Sequence, residues 1–530
     1  MRSLRSPTLV MPVVSSTEPR TQLPAERHQR FFETETVRSD LKSKSIRGSA
    51  FIVTSGGANL MLGIVSTSIL ARLLVPADFG LLGMVFALTA VAEQFKDIGL
   101  GRATVQKKEL VHSEVSNLFW LNAAVGAGIC LAIIALSGSI ASFYHERRLT
   151  HIATVLSTTF LFSGLTIQHQ ALLNRRMRFL ATGLIGTGSI IVGNVVAITL
   201  ALKGYGYRSL VWREIVRALL TAAGTFIACP WVPSLPDVKK KVWHHMRFAR
   251  DITLFNLVTF FTSSVDQILL GKLGGAGVLG IYRQAFGLVM MPVNQLAGAV
   301  HGVSEPAFSA LQDDMSKYRR GFQKAVSALS LVTMPIAAGI CMCARPIVLL
   351  LLGQRWSAAV DLVRVLAIAA CIRPAISTIG FVMVTCGKTS RYLTLGVLDS
   401  IALIAAVSVG VKWGALGIAY GHVVATYVVF LPFVWWALKH TPVDINVWLR
   451  AVARPAVCTL LMTAILYVSS RTMVFRNSFV ALLFLVPLGV AAYFGAMLLV
   501  PGGKAILSEL LRDCRSALGT KRKLPQVAVA

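Results

Sequence analysis

Charged residues are scarce in this chain of 530 residues, and acidic residues are the scarcest. Only 14% of the residues are charged, with 23 Asp and Glu against 52 Lys and Arg. A soluble domain is about a quarter charged. Hydrophobic residues reach 55%, and the mean hydropathy is +0.68. This composition excludes an ordinary water-soluble domain and favours a protein that resides in a lipid bilayer.

Motifs for bound groups are also missing. The Gly-rich runs lack a Gly-Lys-Ser/Thr ending, so no phosphate-binding loop for ATP is present and no cofactor is expected. Cys341 and Cys343 have no second ligand pair at metal spacing, which predicts buried free thiols and no metal site. Any energy source should therefore be an ion gradient or the gradient of the substrate itself.

Apolar stretches recur along almost the whole chain. There are about fourteen, each of ~20 residues and therefore long enough to cross the hydrocarbon core. The gaps between them are too short for a large water-soluble domain. The sequence thus predicts an all-α polytopic membrane protein. The stretches fall near 49–71, 79–99, 116–141, 149–171, 179–202, 208–229, 248–271, 279–302, 323–344, 357–380, 391–411, 414–437, 454–470 and 478–500.

The net charge of +29 is unevenly distributed. If the N-terminus is cytoplasmic and the loops alternate between sides, most Lys and Arg fall on the cytoplasmic side. This bias predicts cytoplasmic N- and C-termini. It also predicts contact with anionic lipid headgroups and gives no reason to expect nucleic acid as a partner. The basic clusters are Lys239–Lys241, Arg175/Arg176/Arg178, Lys317/Arg319/Arg320 and Lys521–Lys523.

A helix hairpin is repeated within the chain. The turn ARLLVPADFG has a weaker echo, LGKLGGAGVLGIY, at an offset of 200 positions. Six predicted helices separate the two, so both hairpins start on the same side of the membrane. The two halves should therefore be parallel, related by a pseudo-two-fold axis along the membrane normal, and enclose a central cavity. The aligned pairs are Arg72 with Lys272, Leu73 with Leu273 and Gly80 with Gly280.

These patterns divide the chain into five parts. Two parallel six-helix lobes are predicted, followed by two extra transmembrane helices that pack outside them. Both ends of the chain are predicted to be cytoplasmic tails, the first one disordered and the last one basic with a short amphipathic helix over Lys504–Leu518. The predicted parts are 1–45, 46–230, 231–440, 441–500 and 501–530.

Eight segments carry a family resemblance. They resemble bacterial polysaccharide exporters of the colanic-acid and succinoglycan type, which are flippases of lipid-linked oligosaccharides. That superfamily also holds multidrug-extrusion antiporters and the peptidoglycan-precursor flippase. The resemblance covers about residues 45–440. The segments are ARLLVPADFGLLGMV, FKDIGLGRATVQ, SNLFWLNAAVG, QALLNRRMRF, VDQILLGKLGG, GIYRQAFGLVMMPVNQLAGAV, FSALQDDMSKYRRGF and LLLGQRWSAAVDLVRVLA.

The resemblance implies a mechanism and partners. It implies a V-shaped central cavity, alternating access, and transfer of an undecaprenyl-diphosphate-linked oligosaccharide from the inner to the outer leaflet of the bacterial inner membrane. H⁺ or Na⁺ are candidate coupling ions, and a polysaccharide polymerase and export proteins are candidate partners. Independently, a diphosphate cannot cross hydrocarbon unaided, so a transporter for it needs cations inside the membrane, where charged residues are otherwise rare.

Asp266 and Arg283 are the first candidates. They flank the turn at 271–279 at similar depth, so they are predicted to be neighbours. They could form a structural ion pair, or Arg283 could hold the diphosphate while Asp266 exchanges it for a cation. Asp399, a lone acid, is a second candidate for cation coupling.

Other candidates lie on separate helices. Arg217 shares a helix face with Arg213, and Glu214 would partly neutralise both. Arg373 precedes Pro374, where a kink frees backbone carbonyl groups. Arg72 and Lys272 either extend toward lipid headgroups or form an outer cationic ring that receives the diphosphate.

Three further groups of polar residues are candidates. The first has a functional and a structural interpretation, and the other two have a structural interpretation only. Gln168, Gln170 and Asn174 would meet sugar hydroxyls or simply be solvated at a helix end. Glu93, Lys96 and Asp97 are predicted to form a salt-bridge cluster at the membrane surface. Asp361 is predicted to pair with Arg364.

Competing functions remain open at this point. A polysaccharide polymerase or ligase usually carries one large outer loop, and a membrane O-acyltransferase needs a buried catalytic His. The predicted loops are short, and nearly all histidines fall at helix ends or in the tail, with His301 and His422 the least clear. An antiporter for cationic drugs would need an anionic or aromatic cavity, whereas the charges inside these helices are mostly Arg. A non-enzymatic flippase is therefore the preferred hypothesis.

Overall fold

The computed structural model describes residues 41–96, 100–107, 110–236, 243–310, 314–439, 441, 443–473, 475, 477–501, 503 and 512. These residues form helices joined by short turns, and the described residues contain no strand. The α-helices are α1 (Leu41–Leu73), α2 (Pro76–Lys96), α3 (Leu100–Gln106), α4 (His112–Tyr144), α5 (Arg148–Arg175), α6 (Phe179–Leu202), α7 (Tyr207–Ala228), α8 (Trp243–Ala310), α9 (Met315–Met342), α10 (Ala344–Leu351), α11 (Ala359–Thr385), α12 (Thr389–Gly410), α13 (Gly414–Val424), α14 (Phe430–Leu438), α15 (Ile445–Thr472) and α16 (Ser478–Leu499).

The predicted membrane spans are confirmed approximately. Among the described residues, 11 helical segments are long and apolar enough to cross a membrane. Two of these segments, Ser264–Gly298 and Ser390–Leu438, each overlap two predicted spans. The first lies in α8 and is interrupted at Gly275, where φ is 74°, so we call the parts of α8 before and after Gly275 its first and second arms. The second is interrupted at the 3-10 turn Val411–Trp413. A further predicted span, near 208–229, is helical as α7.

Several predicted features fall outside the described residues. These are most of the N-terminal tail, the Lys239–Lys241 cluster and the amphipathic helix over Lys504–Leu518 apart from Arg512. α1 begins at Leu41, a few residues inside the predicted tail. The seven described cysteines are all free.

Local sequence explains where helices begin. α2 starts at Pro76, whose fixed φ and missing N–H suit the first turn of a helix. α9 starts after Asp314, whose side chain accepts the backbone N–H groups of Ser316 and Lys317. The side-chain hydrogen bond from Lys317 holds the pKa of Asp314 below its usual range. Both helices therefore have their first turns satisfied by the residues next to them.

The N-terminal half (α1–α7) and the second half (α8–α14) cross at two glycines. A Cβ at Gly80 would overlap the Ala276 carbonyl oxygen, and a Cβ at Gly280 would overlap the Pro76 carbonyl oxygen. Only glycine permits backbones to approach so closely. Both pairs of positions, 76 with 276 and 80 with 280, are 200 residues apart. Exchanging the two halves therefore exchanges the two glycine contacts. This is the relation that a local two-fold axis between α2 and the second arm of α8 requires.

Two basic side chains bind the two halves to each other beside this crossing. Arg72, at the end of α1, donates from Nη2 to the Leu350 carbonyl oxygen at 2.5 Å. Lys272, near the end of the first arm of α8, donates to the Phe143 carbonyl oxygen and lies 3.0 Å from His145 Nε2. The end of the bundle that holds these two contacts is called the clasp end below.

The last two helices pack against the second half. Trp448 in α15 donates from Nε1 to the Ala375 carbonyl oxygen of α11 at 3.1 Å, and Ser327 in α9 donates to the Ala451 carbonyl oxygen at 3.2 Å. α16 packs on α15 and α10. These contacts attach the last two helices to the second half, and their position outside both halves stays a prediction.

Candidate functional site

A polar pocket of about 260 Å³ lies in the N-terminal half, between α2, α5 and α7. α5 contributes Thr159, Ser163, Thr166 and Gln170, whose spacing of three and four residues places them on one helix face. The pocket lies away from the clasp end, because Glu93 is about 25 Å from Pro76 along α2 at 1.5 Å per residue. The other lining residues are Phe86, Leu156, Phe162, Ile167, Glu214, Arg217, Ala218 and Thr221.

An arginine–glutamate–arginine group lies at this pocket. Glu214 Oε1 is 2.9 Å from Arg213 Nη2, and Glu214 Oε2 is 3.0 Å from Arg217 Nη2. The predicted neutralisation of both arginines by Glu214 is confirmed. Arg217 lines the pocket, but its charge is partly offset by an acid beside it. It is therefore a weaker anion site than its position alone suggested.

Arg283 lies where the two halves meet. It projects from the second arm of α8 toward α2, and its guanidinium carbon lies 5.5 Å from the centre of the Phe86 ring. Gly83 makes room for it, since a Cβ there would come 2.7 Å from Arg283 Cδ. Arg283 Nη1 is buried and has no hydrogen-bond partner among the described residues. A buried donor without a partner costs about 1–3 kcal/mol, so this position favours an incoming acceptor such as a phosphate oxygen.

Asp266 pairs differently from the prediction. Its Oδ2 accepts a 2.7 Å hydrogen bond from Tyr282 and lies 3.4 Å from His422 Nε2. Arg283 is close enough to act on Asp266 electrostatically, but these two described residues form no ion pair within 4.0 Å. The structural ion pair, one of the two arrangements expected for these neighbours, is therefore wrong, and the roles of the two residues in binding and coupling stay predictions. Successive helical residues point about 100° apart, so Tyr282 faces Asp266 while Arg283 faces α2.

Two more predicted residues lie near Asp266. Asp399 interacts electrostatically with Arg373 and with His422, and Arg373 also acts on Tyr282. His422 is 3% exposed, and within the described part of the chain its Nδ1 has no hydrogen-bond partner. We call this group of five the buried charge cluster, after its buried members Asp266, Tyr282 and His422. Arg373 and Asp399 complete it and are partly exposed.

Tyr282 and His422 were missed as site residues. His422 had been noted only as a histidine whose environment was uncertain. An ionisable side chain in an apolar helix is itself a signal of function. Tyr282 gave no such signal, because its contact with Asp266 depends on how two helix segments are rotated against each other.

The remaining predictions have simple outcomes. Arg72 and Lys272 both lie at the clasp end, where each binds a backbone carbonyl of the other half. A role as a cationic ring stays a prediction. The ion pair of Asp361 with Arg364 is confirmed at 3.0 Å. Asp97 and the Lys96 side chain fall outside the described residues, so their cluster with Glu93 is untested.

Residues 69–361 match the family described as polysaccharide biosynthesis protein. The match spans more than half of the chain. This chain belongs to that family.

Two curated relatives of this polysaccharide biosynthesis protein are informative. It is 26% identical over 391 residues to the lipopolysaccharide biosynthesis protein WzxC of Escherichia coli (strain K12), which covers 72% of this chain and 78% of that protein. It is 23% identical over 384 residues to the succinoglycan biosynthesis transport protein ExoT of Rhizobium meliloti (strain 1021), covering 72% and 77%.

A solved structure shares the fold. The lipid II flippase MurJ in an inward closed conformation aligns with a TM-score of 0.68 at 14% sequence identity. The alignment covers 88% of this polysaccharide biosynthesis protein and 99% of the MurJ chain. At this identity the likeness shows the fold, and it confirms the predicted all-helical membrane architecture.

Proposed function

We propose that this protein flips undecaprenyl-diphosphate-linked oligosaccharide repeat units from the inner to the outer leaflet of the bacterial inner membrane. The lipids would serve exopolysaccharide biosynthesis and export. The protein would act as a transporter and not as an enzyme. Arg283 carries the proposal, because its unpartnered Nη1 lies at the junction of the two halves, close to a polar pocket. The names of the relatives, which refer to polysaccharide biosynthesis, transport and lipid II flipping, support it.

The chemistry of Arg283 suits a diphosphate. A guanidinium can donate two parallel hydrogen bonds to phosphate oxygens and remains charged inside the membrane. Arg373 lies in the second half and adds positive potential near Tyr282. The polyprenyl tail would stay in the bilayer while these cations hold the head group. Arg217 would contribute less, because Glu214 is bound to it.

Two lobes, 46–230 and 231–440, would rock about the crossing at Gly80 and Gly280. The positive charge bias predicts that the clasp end faces outward and that both termini are cytoplasmic. In this orientation the polar pocket lies on the cytoplasmic side, and the contacts of Arg72 and Lys272 close the outer side. The head group would enter from the inside and leave after the clasp end separates.

A cation gradient would drive the cycle through the buried charge cluster. Asp266 and Asp399 are the acids that would bind H⁺ or Na⁺, and His422 contacts the first of them. Dissipating each gradient separately in proteoliposomes tests this step. Unchanged flipping after the loss of both gradients would contradict ion coupling and leave the substrate gradient as the driving force.

A multidrug antiporter or a polysaccharide polymerase is a weaker candidate. An antiporter for cations would need an anionic centre, whereas an arginine, Arg283, carries a donor at the junction that has no partner among the described residues. A polymerase would leave lipid-linked units already on the outer leaflet. Polymerase and export proteins are proposed only as partners that receive the flipped product.

Complementation tests the proposal. In cells lacking the gene, extracellular polysaccharide should fall and inward-facing lipid-linked repeat units should accumulate. The wild-type gene should restore export and Arg283→Ala should not. Arg364→Ala is the matched control, because Arg364 is an exposed arginine paired with Asp361. Repeat units found on the outer leaflet of the deletion strain would assign the protein to polymerisation or a later step.

A further inference from the structure

The polar pocket has the size of one sugar ring. Its volume of about 260 Å³ is just below the roughly 300–1,000 Å³ of pockets that hold drug-sized ligands. A whole oligosaccharide repeat unit does not fit inside it. A ligand part that enters it completely must therefore be small.

The pocket wall combines groups that accept hydrogen bonds with groups that donate them. The Thr159 hydroxyl donates to the Leu156 carbonyl oxygen at 2.7 Å, and the Thr166 hydroxyl donates to backbone carbonyl oxygens one turn earlier at 3.0 Å, so the remaining capacity of both hydroxyls is to accept. The Gln170 amide and the Arg217 guanidinium donate, and Glu214 adds a negative charge that is bound to Arg213 and Arg217. The pocket thus complements an uncharged ligand that both donates and accepts, such as a polyol.

A phosphate fits this wall less well than a polyol. An ionised phosphate presents acceptor oxygens and no donors, so it would meet the carboxylates of Glu93 and Glu214 and the occupied hydroxyls unfavourably. The cation of Arg217 is shared with Glu214, which weakens its pull on an anion. Arg283 has a donor without a partner among the described residues, and it lies on the other side of Phe86 from the pocket.

Phe86 lies between the polar pocket and Arg283. Its ring lines the pocket, and it also lies 5.5 Å from the Arg283 guanidinium carbon. Glu214, which lines the pocket as well, interacts electrostatically with Arg283. In a lipid-diphosphate-linked sugar, the first sugar is bonded directly to the diphosphate. Its two parts therefore need neighbouring subsites, one polar and without net positive charge and one cationic, and the pocket and Arg283 are arranged in this way.

We propose that the polar pocket binds the first sugar of the head group through its hydroxyls, while Arg283 binds the diphosphate. This division rests on the proposed function and adds a specificity site to it. The sugar subsite belongs to the N-terminal half and the diphosphate group to the second half. The substrate would then bridge the two halves in the inward-open state.

Binding of two probes to the full-length protein in lipid nanodiscs tests the division. The probes are undecaprenyl diphosphate and undecaprenyl diphosphate carrying one hexose. Wild type should bind the glycosylated lipid more tightly. Thr159→Val with Thr166→Val should reduce that affinity by about tenfold, the loss of about two weak hydrogen bonds, and leave the bare lipid unchanged. Arg283→Gln should weaken both lipids.

Controls separate the outcomes. Thr199→Val removes an exposed hydroxyl that is bonded to its own helix in the same way, and it should change neither affinity. Gln170→Leu provides an independent variant if the double variant unfolds, and it should reproduce the selective loss. An equal loss for both lipids, or no loss for the glycosylated one, would overturn the sugar subsite. Failure of the wild type to bind either lipid would overturn the proposed function.

Discussion

The two halves of the molecule are alike at the clasp end and different at the centre. At the clasp end, Gly80 and Gly280 make the same backbone contact, and Arg72 and Lys272 each bind a carbonyl group of the opposite half. Residues 200 positions apart therefore make equivalent contacts there. The two halves have similar sequences and contacts where they pack against each other.

At the centre, equivalent positions have diverged. Ser66 corresponds to Asp266, and Gly83 corresponds to Arg283. Gly83 also touches Arg283, because a Cβ there would come 2.7 Å from Arg283 Cδ. Near a two-fold axis there is room for one long side chain and not for its symmetric copy. The absence of a side chain at Gly83 in the N-terminal half thus makes room for Arg283 of the second half.

The central regions also differ in their contents. The N-terminal half holds a cavity lined by hydroxyls, whereas the second half holds the buried charge cluster around Asp266. Each half therefore has one chemical task in the proposed cycle. The first task is recognition of the sugar, and the second is binding of the diphosphate and the coupling ion.

Filling the shared crossing should have the largest effect. Gly80→Ala places a methyl group against the Ala276 carbonyl, which the packed backbones cannot accommodate. Overpacking typically costs about 1–3 kcal/mol and should lower the thermal unfolding midpoint and abolish export. Gly188→Ala, with open space around the new Cβ, is the control and should be neutral or slightly stabilising. Equal behaviour of the two variants would contradict the close crossing.

Removing the acid that only the second half possesses should have the next largest effect. Asp266→Asn keeps the shape but removes the charge that faces Tyr282 and His422. Flipping should lose its dependence on the ion gradient and slow by at least about tenfold, while binding of undecaprenyl diphosphate persists. Ser66→Ala, at the equivalent position, should leave coupling intact. Gradient-dependent flipping by Asp266→Asn would show that the acid is only structural.

Loosening the symmetric clasps should have the smallest effect. Arg72→Ala and Lys272→Ala each remove a hydrogen bond worth about 1 kcal/mol, so each should raise the population open at the clasp end by about fivefold. Spin labels at Val75→Cys and Gln354→Cys would report the separation of the two halves. Because the two donors are related by the repeat and each binds a carbonyl group of the opposite half, the two variants should behave alike. A shift in only one of them would break the symmetry argument.

Parts of this account were accessible from the sequence for identifiable physical reasons. The 200-residue repeat predicted the pairing of the halves, and short-range helix spacing predicted the contacts of Glu214 and Arg364. Contacts that depend on helix rotation were not accessible, so an ion pair of Asp266 with Arg283 was one expected arrangement, whereas the contacts of Asp266 are Tyr282 and His422. The hydroxyl stripe of the polar pocket is visible in the spacing of α5, but such residues also occur in helices that line no cavity.

Transport by the purified protein tests the central claim most directly. The protein would be reconstituted in liposomes with a lipid diphosphate carrying one sugar, and arrival of the sugar at the opposite leaflet would be followed with a membrane-impermeant reagent. We expect wild type and Arg364→Gln to move the lipid at equal rates and Arg283→Gln to be at least about tenfold slower. A wild-type rate no higher than that of protein-free liposomes, or an unchanged rate for Arg283→Gln, would contradict the account.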